Sequence, residues 1–371
     1  MRYRVTCLTP TLVGDGNKLS PIDYMVWKEH VNVLDQRRIF KLLAKGPRLE
    51  GYLAQLKKAE RLDFASWGGF AQNFAGRRIP FEDLSSLPVW ERAHPENLFI
   101  PTFAASASGP YLPATAIKGA LRTGTVFDRW SPATFRDLAG RLGVEESNVR
   151  LPRYLASKSE EAVLGAGGKS RMRKVSAGDS TTVGHDGMKI YLLRTSTLVS
   201  RGGGKYELGW KSARGTSEAR RIDDSTPSFA EMAVPGTVFE GVWSEADAHD
   251  RSKMFHASNG YAAAQLARHK EYARWTGLAP LAATLDGLEA KIRGLEGRSD
   301  ACVLSLGWGG GLLSKIAVSD TAEAGYRSIA RHISFYQRAL QTGLPFPKTR
   351  RVVFQGGKAA QIPGWVLLEV A

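Results

Sequence analysis

The stretch Tyr111-Leu-Pro-Ala-Thr-Ala-Ile-Lys-Gly-Ala-Leu-Arg122 sets the tightest condition on the fold. Pro113 ends an extended entry, and Thr115 is placed to cap a helix by accepting a first-turn N–H. Ile117, Leu121 and Val126 share one face, which must be buried. Lys118 and Arg122, four residues apart, share the neighbouring face. Gly119 between them costs about 1 kcal/mol of helix propensity relative to Ala. A helix tolerates that cost where something must come close to its backbone. Unsatisfied N–H groups and two cations then make an anion site suited to phosphate. An amphipathic surface helix with a solvated basic edge fits the same residues.

The balance of charge is not ordinary. The 371 residues hold 51 Lys and Arg against 36 Asp and Glu, a net charge of +15. Such a surface attracts polyanions, nucleic acid foremost. A membrane surface is the competing anion, but no run of 18 apolar residues exists and the N-terminus has no apolar signal-peptide core. A cytoplasmic protein without a membrane partner is expected. Hydrophobic content of 43% suits a globular chain with a sizeable core. Two cysteines, Cys7 and Cys302, make neither a disulfide framework nor a zinc site, and the seven histidines lack metal-ligand spacing. No cofactor is expected.

Arg2 to Leu8 alternates, predicting a strand with Tyr3, Val5 and Cys7 on its buried face. In the loop that follows, Gly14 and Gly16 permit a tight turn, and Asn17 with Lys18 can meet a phosphate. Leu19 stands where a dinucleotide loop needs its third glycine, which excludes a Rossmann reading. Tyr24–Trp27 and Val31–Leu34 read as a hairpin, Asp35 as the cap of a helix carrying Ile39, Leu42 and Leu43, and Leu49, Leu53 and Leu56 as a second helix. Asn97–Phe103 is expected as a strand, and a helix should run from Trp130-Ser-Pro to about Leu142.

From Arg153 to Arg221 cations dominate: Arg171, Arg173, Lys174, Lys189, Arg194, Arg201, Lys205, Lys211, Arg214, Arg220 and Arg221. Gly167-Gly-Lys-Ser170 is not a P-loop, because Val163 stands at the required first glycine. Met188–Leu198 and Ala233–Trp243 are expected to pair, joined by a basic, flexible loop. That loop reads as a cationic arm ordered by RNA or as a solvated disordered segment. His249–Trp275 and Leu281–Leu295 read as helices. Val303-Leu-Ser-Leu-Gly-Trp-Gly-Gly-Gly-Leu-Leu-Ser-Lys315 reads as a strand entering a glycine loop. Gly307, Gly309 and Gly311 there let a backbone approach a ligand, Trp308 offers a stacking face, and Lys315 follows. A tight turn with a core tryptophan fits equally.

These motifs carry a resemblance. Leu112 to Arg122 resembles the Pro-Gly-Ser-Ser-Ile-Lys-Gly-x-Leu-Arg signature of the RAMP superfamily of CRISPR RNA-binding proteins, with Ala114 for Gly and Ala116 for Ser. The order of strand, glycine turn, hairpin with a terminal Asp, and helix resembles the opening of the fifth subunit family of the Csm (type III-A) complex. Val175-Ser-Ala-Gly-Asp-Ser180 is similar to that family's Val-Ser-Asp-Ser element with two residues inserted. Val234-Pro-Gly-Thr-Val-Phe-Glu240, the Leu-Gly-Trp-Gly-x-Gly loop, a helix Ala322–Gln341, Pro347-Lys-Thr-Arg-Arg351 and the closing strand Gly364–Glu369 match it in order. The resemblance implies an α+β fold: a ferredoxin-like (RRM-like) RAMP core with helical additions and a basic flexible insertion. It implies one unit over 1–371, in approximate parts 1–150 (core), 151–245 (basic insertion with strand pair) and 246–371 (helices, glycine loop, closing strand).

The function so implied is a non-catalytic subunit that caps the backbone of the complex and binds the 3′ part of the CRISPR guide RNA. Its partners are the guide RNA, target RNA, the neighbouring backbone RAMP subunit and a small helical subunit. The RNA contacts expected are Gly14, Gly16, Lys18, Thr115, Lys118, Gly119, Arg122, Arg171, Arg173, Lys174, Arg201, Gly307, Trp308, Gly309, Gly311 and Lys315. Two alternatives stand beside it. One is a metal-dependent RNA endonuclease using Asp15, with Asp23 in the same region, since one carboxylate with Mg²⁺ can suffice. The other is a stand-alone single-strand RNA binder. A metal-independent nuclease would need an early histidine, and His30 alone is available, in a hairpin turn. The pairs His185-Asp186 and His249-Asp250 lack the partners a phosphohydrolase needs.

Overall fold

The computed structural model describes residues 1–58, 73–144, 155–212, 218–318 and 320–371. The strand Arg2–Cys7 is central, with Tyr3, Val5 and Cys7 buried as the alternation requires. It pairs antiparallel with Val238–Glu245 on one side and Trp365–Val370 on the other. Val175–Ala177 and Ala301–Ser305 complete a five-stranded antiparallel sheet in the spatial order 301–305, 365–370, 2–7, 238–245, 175–177. Its strands come from all three parts of the chain.

Two helices pack on this sheet and on each other, Ala114–Arg129 and Ala248–Thr276. Their close approach depends on Gly124, where a Cβ would lie 2.8 Å from the Ser258 backbone. Ile117, Leu121 and Val126 are buried as their spacing predicts. Ala279–Arg293 follows the long helix after Gly277, which takes a left-handed φ of +67° to end it.

A second sheet forms around the strand Met188–Ser200, in the order 218–219, 206–211, 188–200, 349–355, 358–361, with Ser228–Ala233 also paired to it. The expected partnership of 188–198 with 233–243 therefore holds only to Ala233. At Val234-Pro-Gly-Thr237 the chain turns, with Gly236 at φ +90°, and crosses to the first sheet. Within the basic insertion Tyr206–Lys211 is a strand. Arg194 is buried and donates to the carbonyls of Ile222 and Ser225. Arg214 lies outside the described residues.

The hairpin Tyr24–Trp27/His30–Leu34 turns at Lys28 and Glu29 and is joined by Ala75–Pro80. Asp35 caps the helix Gln36–Leu43, accepting from the Arg38 N–H, with Ile39 and Leu43 buried but Leu42 exposed. Two other expectations need correction. Of 97–103 only Ile100–Pro101 is a strand, since Pro95–Asn97 forms a 3-10 turn. The helix expected over 322–341 is two, Ala324–Arg331 and Ser334–Gln341. The β-branched Ile333 between them is extended, and its carbonyl starts the second by accepting from Tyr336.

Candidate nucleic-acid interface

The two glycine loops, almost 300 residues apart in sequence, meet backbone to backbone. The Trp308 N–H donates to the Leu12 carbonyl at 2.8 Å. Gly307 has a φ of +71°, and a Cβ there would sit 2.0 Å from that same oxygen. Gly309 lies against Pro363 in the same way, at 2.5 Å. These glycines are required by contacts within the protein. Gly16 (φ +95°) and Gly311 (φ +74°) instead face open space. Lys315 Nζ donates to the Gly307 carbonyl at 3.3 Å and closes the second loop.

Together the loops form one wall of a groove of about 1850 Å³. Its lining includes Lys18, Lys211, Lys315, Arg338, Lys348 and Arg351 against one acid, Glu218. Burial alone would raise the Glu218 carboxyl, but the hydrogen bond from Lys348 Nζ at 2.8 Å and the charges of Lys348 and Lys211 bring it below its ordinary value. The helix Ser334–Gln341 also lines the groove. Lys18 projects over the Phe99 ring, 4.7 Å from its centroid.

Trp308 is half-buried against the core, and the Arg351 guanidinium covers its ring at 3.9 Å. Its neighbour Arg350 turns the other way. Buried, it donates to the Pro347 and Thr349 carbonyls and to His269 Nδ1, and it lies 4.6 Å from the Tyr272 ring centroid. Burial lowers the Arg350 pKa to about 10. This inward arginine holds the segment from which Lys348 and Arg351 reach the groove. Sequence reasoning missed Lys211, Arg338, Lys348 and Arg351 as site residues. The signal present was Pro347-Lys-Thr-Arg-Arg351, which meets the second glycine loop through Arg351 over Trp308.

Of the other expected contacts, Thr115, Lys118, Gly119 and Arg122 lie on the helix Ala114–Arg129. Thr115 does not cap it. The helix starts at Ala114, and the Ala114 N–H donates to Asp179 Oδ1 at 2.8 Å. The next residue, Ser180, accepts from the Leu112 N–H and donates its own N–H to the Leu112 carbonyl. The Val175–Ser180 element thus fastens the helix entry. Lys118 is half-buried, and Gly119 is exposed with open space at its Cβ position. Arg122 is ion-paired with Glu160 of the helix Ser157–Leu164. Arg171 lies beside Arg129 and Thr125, Arg173 near Gly168, and Lys174 is paired with Asp250 at 2.9 Å. Arg201, at the tip of a hairpin, is paired with Glu207.

The carboxylates considered for metal chemistry are engaged in turns. Asp15 accepts from the Asn17 N–H at 3.0 Å and from Asn17 Nδ2 at 2.8 Å. Asp23 accepts from both the backbone and the hydroxyl of Ser20. Among the described residues no three His, Cys, Asp or Glu side chains cluster to hold a metal ion, and no helix is long and apolar enough to cross a membrane.

The RAMP superfamily model matches residues 4–246, more than half of the chain, and the chain belongs to that superfamily. The fold is similar to that of a chain in a cryo-EM structure of the Csm–crRNA–target RNA ternary complex of a type III-A CRISPR-Cas system. That match has 17% identity, a TM-score of 0.66 and coverage of 100% of both chains. It is similar also to the crystal structure of T. onnurineus Csm5, at 16% identity and a TM-score of 0.56, over 98% of this chain and 99% of that one. No curated protein sequence matches the chain.

Proposed function

We propose that the chain is a non-catalytic subunit of a type III-A CRISPR effector complex that caps the backbone of RAMP subunits and binds the 3′ part of the guide RNA. The observation that carries this reading is the end-to-end likeness to a chain of a Csm complex containing crRNA and target RNA. The groove supports it, with six cations against one acid beside two glycine loops. Its partners on this reading are guide RNA, target RNA, the adjacent backbone subunit and a small helical subunit. Contacts are made mainly to phosphate and sugar, since one complex must carry many spacer sequences. The helix surface around Lys118 and Gly119 is a second contact.

The strand order 365–370, 2–7, 238–245, 175–177, with a helix following the first and third of these in sequence, supports a ferredoxin-like core. In it 301–305 is an added edge and the chain is one unit. The engaged state of Asp15 favours the non-catalytic role. The test is a nuclease footprint of guide RNA in complexes assembled with and without the chain. Protection of the 3′ part only when the chain is present is expected; an unchanged footprint overturns the reading.

A further inference from the structure

The groove-lining helix Ser334–Gln341 carries a feature that phosphate binding does not use. Phe335, at the start of the helix Ser334–Gln341, is 83% exposed, while its ring is held edge-on to Tyr336 at 5.4 Å. Tyr336 in turn packs edge-on to the buried Phe346 at 5.3 Å. An aromatic chain therefore runs from the core to an open ring on the groove wall. Arg338, three residues on, also lines the groove. Exposing so large an apolar side chain forgoes about 2 kcal/mol of burial. In a cationic groove the physical use of such a ring is to stack a nucleobase, since every base has a π face and stacking contributes about 1–3 kcal/mol per base.

We infer that this groove takes unpaired, single-stranded RNA, with Phe335 stacking on one base while Lys18, Lys315, Lys348 and Arg338 line the path of the phosphates. This rests on the RNA-binding reading above and specifies the state of the RNA. A base inside a duplex is already stacked on both faces, so Phe335 contributes only where a base is unpaired. It contributes without regard to base identity, which suits a subunit that must accept any spacer.

The experiment uses the full chain and a fluorescent 12-nucleotide oligouridine, alone and paired with oligoadenine. Phe335→Ala should weaken the single strand by about tenfold, within the stacking range. It should change binding of the duplex by less than twofold, leave the salt slope unaltered and leave Tm within a degree. Phe335→Trp should restore affinity. Lys315→Ala should reduce the single-strand salt slope by about 0.7. If Phe335→Ala binds like wild type while Lys315→Ala is weakened, the groove holds RNA and the stacking assignment is wrong. If the groove-cation variants also bind like wild type, or the chain binds no oligonucleotide at low salt, the RNA-binding reading of the groove fails with it. Loss of a protein subunit from the complex on Phe335→Ala, with oligonucleotide affinity intact, would make Phe335 a protein contact and overturn the inference.

Discussion

At the scale of single residues, neighbours of the same type have opposite fates. Arg350 and Arg351 are adjacent on one strand, so strand alternation sends one into the core and one over Trp308. Nothing in a run of two arginines says which. The glycines of the second loop divide similarly. Gly307→Ala should lower stability by more than about 2 kcal/mol, because a left-handed φ and a backbone clash coincide there. Gly311→Ala should cost less, about 1–3 kcal/mol, since its φ of +74° and ψ of −164° suit glycine but a Cβ there meets nothing. Thermal unfolding of the two variants checks this; equal losses would mean that the loops do not meet as described. Asp15→Ala should leave RNA cleavage by the complex unchanged. Loss of one product in a Mg²⁺ assay with assembly intact would restore the nuclease alternative.

His269 gives the residue scale a pH signature. It is fully buried, accepts from Arg350 and stands edge-on to Trp365. Burial, and then the Arg350 charge, hold its pKa well below the ordinary 6.5. The folded state therefore keeps it neutral while the unfolded chain protonates. Its contribution is intact above pH 6.5 and is lost as pH falls below it, by up to about 1.4 kcal/mol per pH unit. His269→Asn should be less stable at pH 7.5 yet show a shallower decline between pH 6.5 and 5.5. Parallel declines in denaturant titrations of both proteins would contradict the assignment.

At the scale of elements, what was legible followed from periodicity and what was not depended on distant partners. The first strand, the Asp35-capped helix and the buried face of Ala114–Arg129 were readable because alternation and helical spacing are local. The cap of that central helix was not, since its acceptor, Asp179, lies 65 residues away. Asp179→Ala should therefore destabilise the fold by about 1 kcal/mol, as loss of a helix cap does. The two glycines of the helix also separate. Gly124 is needed for packing against Ser258, whereas a Cβ at Gly119 would meet nothing within 4 Å. Gly119→Leu should raise or preserve thermal stability and reduce guide RNA retention. A stabilised variant that retains guide RNA normally would remove this helix from the interface.

At the scale of the molecule, composition indicated a polyanion partner but not where it binds. The net charge of +15 is spread over the chain, and several expected contacts, Arg122, Lys174 and Arg201 among them, are paired with acids. Six cations against one acid line the groove where the two glycine loops and the Pro347–Arg351 segment converge, a convergence created by sheet topology and invisible in linear order. The central claim is that this chain holds guide RNA through its backbone, whatever its sequence. The direct measurement is the affinity for guide RNAs of three unrelated spacers as a function of salt. Steep, parallel dependences that agree within tenfold, about 1.4 kcal/mol, are predicted. Salt-insensitive binding, or a preference for one spacer beyond tenfold, would contradict it.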